Sequence, residues 1–159
     1  MKRRLRIGLL VALVLFAEGV VAQIPVMNQQ IKDYVTSVIG TKVGRGECWD
    51  LASTALEGVS AEWNGMYQFG KVVVPGKDSI YPGDIIQFEN VKLEYRDVNE
   101  TITESYPHHT AIVYEVLGPK TFRIAHQNTG FSGRKVGLSI LRLDDKKSGK
   151  ITFYQPQGK

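Results

Sequence analysis

The sequence predicts an α+β domain in which N-terminal helices pack on an antiparallel β-sheet. Two segments before residue 58 repeat apolar residues at helical spacing, and each ends at a glycine. After Gly65 the chain changes to short runs rich in β-branched and aromatic residues, separated by turn sequences. Helices that precede a series of strands, instead of alternating with them, are typical of the α+β class.

The first predicted helix begins at Asn28, a good N-cap residue, and ends at Gly40. Its inner face would carry Ile31, Tyr34, Val35, Val38 and Ile39. The second predicted helix follows a glycine-bearing turn, extends from about Glu47 to Glu57 and ends at Gly58. Its inner face would carry Leu51, Ala52, Ala55 and Leu56.

The strands are predicted from runs of β-forming residues bounded by turns. These runs cover residues 67–74, 84–88, 110–117, 122–127, 136–141 and 151–154. The polar segment 90–106 is compatible with either a hairpin extension or a long loop.

The first 22 residues read as a signal peptide. A basic start is followed by an apolar run over residues 7–17, and Val20-Val21-Ala22 supplies the small residues of a cleavage site. The run is shorter than the roughly 20 residues that span a bilayer, so cleavage is favoured over an uncleaved anchor. We therefore expect one domain at 23–159, secreted or periplasmic, without a stable membrane anchor and monomeric.

The net charge and the cysteine content limit the range of possible functions. The segment 1–22 holds four basic residues and one acid, so the net charge falls from +4 to +1 without it (4 − 4 + 1). This removes the main argument for a nucleic-acid partner. Cys48 is the single cysteine and cannot form an intramolecular disulfide. It is a buried apolar residue, an intermolecular bridge or a reactive thiol.

The surroundings of Cys48 favour a reactive thiol. It lies at the first turn of the second predicted helix, directly after Gly44-Arg-Gly46. The positive end of the helix dipole should lower the thiol pKa, and free backbone N–H groups there could bind an oxyanion.

Two of the three histidines and one asparagine complete the candidate site. His109 leads into a strand and suits a general base, whereas His108 is expected to be structural. His126 and Asn128 would share one strand face, and a hairpin around Gly118 would bring His126 opposite His109. No zinc-ligand spacing is present, so neither a metal nor another cofactor is expected.

These motifs resemble the CHAP family (cysteine, histidine-dependent amidohydrolase/peptidase). The resemblance rests on Gly-Glu-Cys-Trp-Asp-Leu-Ala at 46–52, Pro-Gly-Asp-Ile-Ile-Gln-Phe at 82–88, His-Thr-Ala-Ile-Val at 109–113 and His-Gln-Asn at 126–128. The resemblance covers about residues 28–156. The related NlpC-type peptidases share the same features. The sequence is also similar to a CHAP-like domain of eukaryotic actin-patch proteins.

The resemblance implies a papain-like fold and a Cys–His–His site. Cys48 would be the nucleophile, His109 the base and His126 the residue that orients it, with Asn128 assisting. Many CHAP enzymes carry glutamate at the position of His126. The implied activity is an exported cysteine amidase or peptidase that acts on peptidoglycan or another peptide substrate. A toxin-like effector would share these residues, and the alternative is a non-catalytic CHAP-like module that binds a peptide or protein.

Overall fold

The structure is a computed structural model that describes residues 23–159. It contains two helices, α1 (Val26–Val38) and α2 (Cys48–Gly58), followed by eight strands and one short 3-10 helix (Leu143–Asp145). The strands are β1 (Ala61–Glu62), β2 (Lys71–Val73), β3 (Ile85–Asp97), β4 (Glu100–Gly118), β5 (Thr121–His126), β6 (Gly137–Arg142), β7 (Lys146–Gln155) and β8 (Gln157–Gly158). The predicted order of helices before strands is therefore confirmed.

Six strands form the main sheet in the order β2-β7-β3-β4-β5-β6, and every pairing in it is antiparallel. The short strands β1 and β8 pair separately. The polar segment 90–106 is a hairpin extension and not a loop, since β3 and β4 stay paired out to Asp97 and Glu100. Its alternating charged and β-branched residues suit a two-stranded arm with one solvated face.

One core lies between the helices and the sheet. The inner faces of both helices, including Ile31, Val35 and Leu51, pack against sheet residues such as Ile112 and Ala125. Leu51 is 1% exposed and Ile31 is fully buried. The apolar helix faces predicted from the sequence are the ones that the structure buries, because burying them is the main gain when an amphipathic helix packs.

A second core fills the opposite face of the sheet. It joins residues from β3, β4, β5 and β7, among them Phe88, Val113, Phe122 and Phe153. Both faces of the central strands are therefore apolar, and this gives β4 its continuous buried segment from His109 to Val113. The site described below lies at the start of that segment.

The turn before β3 is fixed by buried polar contacts. The Asn28 side-chain amide donates to the Asp84 carboxylate at 2.7 Å and to the Pro82 carbonyl at 3.1 Å. Gly83 has a φ of +91°, and a Cβ atom there would lie 2.3 Å from the Asn28 carbonyl oxygen. The Pro-Gly-Asp sequence thus serves close packing of α1 on the sheet, because only glycine fits this backbone.

Candidate active site

Cys48 is the first residue of α2, as the sequence predicts. A capping box between Glu47 and Asp50 begins the helix at this point. The Asp50 carboxylate also accepts the backbone N–H of Arg45 at 2.7 Å and pairs with the Arg45 guanidinium at 2.8 Å. The turn before the helix is therefore held in place, and with it the position of the thiol.

The thiol lies beside the backbone of β4. The backbone N–H of Thr110, the residue after His109, faces the Cys48 sulfur, as do the N–H groups of Cys48 and Trp49 at the helix start. These donors favour the thiolate form of the sulfur, whereas their use in binding the oxyanion of an attacked carbonyl stays a prediction. Direct proton transfer between Cys48 and His109 stays a prediction.

Two histidines and a serine form a continuous hydrogen-bonded row. The Nε2 atom of His109 lies 2.9 Å from Nδ1 of His126, and Nε2 of His126 lies 2.9 Å from the Ser139 hydroxyl. If Nδ1 of His109 accepts a proton, its Nε2 must carry hydrogen and donate to His126. His126 then donates to Ser139, so one set of tautomers satisfies the whole row.

The β4–β5 hairpin brings the two histidines together with a shifted register. Ile112 pairs with Ala125, so the same register would set His126 beside Ala111 and not beside His109. Continued from the Gly118–Thr121 pair, the register would set His126 beside Val113. The two irregularities in β4, between Val113 and Glu115 and between Val116 and Gly118, therefore move His126 two residues closer to His109. Diagonal neighbours in a sheet lie close enough for ring contact, so the predicted proximity holds although the predicted pairing does not.

Asn128 lies outside the strand that was expected to carry it. β5 ends at His126, and Asn128 has a φ of +61° in the following bend. Its side-chain amide donates to the Glu47 carboxylate at 2.7 Å, which also pairs with Arg134 at 2.8 Å. Asn128 therefore holds the residue before Cys48 and does not share a strand face with His126.

Sequence reasoning missed Ser139 and Gln127. Ser139 reaches His126 from β6, a strand whose register only the folded sheet determines. Gln127 is fully buried, and its side-chain amide donates to the backbone carbonyls of Val43 and Glu47 at 2.9 and 2.7 Å. It ties the bend after β5 to the turn before Cys48. The sequence signal that could have identified Gln127 is its position in the His-Gln-Asn motif at 126–128.

Burial determines the charge of the site. Burial raises the pKa of the Cys48 thiol above its usual value, although nearby backbone donors lower it. Burial, with a smaller contribution from the charge of His108, lowers the pKa of His109 to about 4. Burial, then His109, lowers the pKa of His126 to about 3. The expected lowering of the thiol pKa is wrong, because desolvation outweighs the backbone N–H donors around the sulfur. The thiol and both rings are therefore uncharged at pH 7.

Exposed aromatic side chains border the site on both sides. On the side of the helices, the Tyr67 ring stands edge-on to His108, with centroids 4.2 Å apart. On the other side, the Phe131 ring lies 5.4 Å from His126 and the Tyr106 ring 4.8 Å from His109. Tyr67 is 42% exposed and Phe131 56% exposed. We call the surface between Tyr67 and Phe131, which adjoins Cys48 through the Thr110 backbone, the Cys48 groove.

The chain matches the AIM3/BBC1 cysteine proteinase-fold domain over residues 26–159. It belongs to this family. The papain-like fold implied by the sequence is supported by that membership, whereas the description names a fold and no activity.

The chain is also similar to a yeast protein and to one solved structure. The chain is 31% identical over 147 residues to Altered inheritance of mitochondria protein 3 of Debaryomyces hansenii. That match covers 81% of this chain and 16% of the relative, so the domain corresponds to a small part of a much longer protein. The chain also resembles the crystal structure of Ly7917, with a TM-score of 0.49 and 19% identity, over 80% of this chain and 62% of that one.

The relative corrects the predicted location. A secreted or periplasmic protein was expected, and this is wrong: the relative is a yeast protein named for the inheritance of mitochondria, which points inside the cell. Neither the family description nor the relative's name supports peptidoglycan or a cell wall. The predicted signal peptide at 1–22 lies outside the described residues. Among residues 23–159 no helix is both long and apolar enough to cross a membrane.

Proposed function

We propose that this domain is a peptide-binding module of cysteine proteinase fold, which holds an extended segment of a partner protein in the Cys48 groove. The observation that carries the proposal is the pair of walls around the site, where Tyr67 and Phe131 keep much of their surface in solvent. Exposed aromatic side chains beside polar groups are typical of binding sites, because covering them releases water at little cost in entropy.

The charge state of the site supports binding over rapid catalysis. A reactive cysteine is normally a thiolate, stabilised by a neighbouring cation. Here the pKa of Cys48 is raised while those of His109 and His126 are lowered, so the thiol and both rings are uncharged near pH 7. An uncharged thiol and uncharged rings receive a peptide backbone without the desolvation cost of a buried ion pair.

The size of the relative is consistent with a module. In Altered inheritance of mitochondria protein 3 the matching region is 16% of the chain. A domain that occupies a small part of a long protein commonly serves to bring other proteins to it, and we infer the same role here.

A second candidate function is cysteine amide hydrolysis, and the hydrogen-bonded row favours it. Cys48 would attack an amide carbonyl and form a thioester, while His109 passes the thiol proton to the departing amine. Water, activated by His109, would then release the acid. His126 would orient the His109 ring through their 2.9 Å contact, with Ser139 behind it.

Peptide display tests the binding proposal. A random peptide library is selected on the immobilised protein, and the affinity of one selected synthetic peptide is measured by fluorescence polarisation. Tyr67→Ser and Phe131→Ser should each weaken binding by about tenfold, the effect of a moderate hot spot. Val72→Ser, a comparably exposed residue on β2, is the matched control and should bind normally. Equal affinities for all four proteins would contradict the proposal.

Cleavage of the same peptide separates the two functions. The peptide is incubated with the protein and examined by mass spectrometry. An intact peptide that binds Cys48→Ala as well as the unaltered chain supports a binding module. Cleavage that disappears in Cys48→Ala would favour the hydrolase.

A further inference from the structure

We propose that the cavity between Tyr106 and Phe131 takes a basic side chain, arginine or lysine, of the peptide held in the Cys48 groove. This rests on the proposed function and adds the chemistry of the partner. The cavity has a volume of about 230 Å³ and is lined by Glu104, Ser105 and Tyr106 on β4 and by residues 129–131.

The cavity adjoins the histidine row directly. Tyr106 and Phe131, which form its walls, also contact the rings of His109 and His126, with centroids 4.8 and 5.4 Å apart respectively. A side chain in the cavity would lie beside these two rings, and we infer that it belongs to the peptide residue next to the one that meets Cys48. The cavity is a subsite of the groove and not a separate surface.

Glu104 gives the cavity a fixed negative charge. One carboxylate oxygen accepts the Tyr95 hydroxyl and the other accepts the Tyr106 hydroxyl, each at 2.9 Å. Burial raises the pKa of Tyr106, so its hydroxyl remains a donor at neutral pH. Each oxygen keeps a lone pair for a ligand. The carboxylate is thus held in one orientation before any ligand arrives.

The walls suit a cation as well. Tyr106 and Phe131 are aromatic, and ammonium and guanidinium groups bind favourably over the faces of aromatic rings. Among the described residues that line the cavity none is basic. Arg96 and Arg142 line a different cavity that also includes Glu104, and neither lines the cavity beside Phe131.

The test uses the single cysteine as a reporter. Peptidyl chloromethyl ketones form a thioether with Cys48 and release chloride, so intact mass spectrometry gives a rate of labelling. Three probes differ only at the residue next to the ketone, which is arginine, its neutral isostere citrulline, or glycine. Each rate is divided by the iodoacetamide rate of the same protein, which corrects for the intrinsic reactivity of the thiol.

We expect the arginine probe to label about fivefold faster than the citrulline probe, the scale of a cation over aromatic rings beside a partly exposed carboxylate. Glu104→Gln should bring the ratio to about one. Glu100→Gln, an exposed acid in the same strand, is the matched control and should keep the ratio. The preference should shrink in high salt, since salt screens partly exposed charges.

The outcomes separate this inference from the function on which it depends. Equal arginine and citrulline rates, both above the glycine rate, would overturn the basic subsite and leave the groove. A preference that survives in Glu104→Gln would overturn the role of this cavity. If neither the arginine probe nor the citrulline probe labels Cys48 faster than the glycine probe, the groove does not hold peptides and both proposals are wrong.

Discussion

The protonation state of Cys48 gives the sharpest prediction. An ordinary thiol with a pKa of about 8.5 is about 3% thiolate at pH 7. Burial raises the pKa of Cys48, so the thiolate fraction at pH 7 should be below about 3%. The His109 ring, with a pKa of about 4, supplies no cation to reverse this. Alkylation should therefore increase about tenfold for each pH unit between 6 and 8.

Iodoacetamide labelling measured from pH 5 to 10 tests this. Cys48 is the only cysteine, so one mass shift reports it, and the same chain unfolded in urea provides the matched reference. The folded protein should titrate at higher pH than the unfolded chain. The position of the inflection is the readout, because steric shielding lowers the rate at every pH and does not move it.

A different profile would refute the reasoning. A rate that is constant between pH 5 and 8 would show a thiolate paired with an imidazolium. That result would mean that the backbone N–H groups around the sulfur outweigh its burial, and it would favour the hydrolase over the binding module.

Three further predictions concern the stability of the domain and the hydrogen-bonded row of His109, His126 and Ser139. Leu51→Ala should lower the free energy of unfolding by about 2–5 kcal/mol in urea titrations, whereas Val72→Ala, at an exposed edge position, should change it by about 0.5 kcal/mol. Burial raises the pKa of Asp84 to about 7, so its contribution to stability is full below pH 4 and lost as the pH rises through 7. The difference in stability between the unaltered chain and Asp84→Asn should therefore change by up to about 4 kcal/mol between pH 4 and 8, and a constant difference would contradict the raised pKa. If peptide cleavage is observed, His126→Ala should reduce turnover by about a hundredfold and Asn128→Ala by about tenfold; equal losses would contradict the orienting role of His126.

The sequence by itself determined the fold class and the position of the thiol. Apolar residues at helical spacing mark α1 and α2, and the glycine turn before Glu47 places Cys48 at the start of a helix. These are local patterns, because hydrophobic periodicity and capping act over a few residues. The Pro-Gly-Asp turn was visible for the same reason.

The tertiary structure determined which site residues the strands bring into contact. The shifted β4–β5 register could not be read from a residue count, because irregularities in β4 depend on packing against both cores. The same applies to Ser139, which meets His126 only because β6 pairs with β5. Asn128 left the predicted strand when the backbone turned to a positive φ after His126.

The charge of the site was also decided by the fold. The helix dipole at Cys48 is a property of the sequence, and it favours the thiolate. Desolvation depends on everything that surrounds the sulfur and the two rings, including Tyr106 and Phe131 from distant segments. Burial acts on all three groups and favours their neutral forms, so the fold, and not the motif, sets the resting chemistry of Cys48.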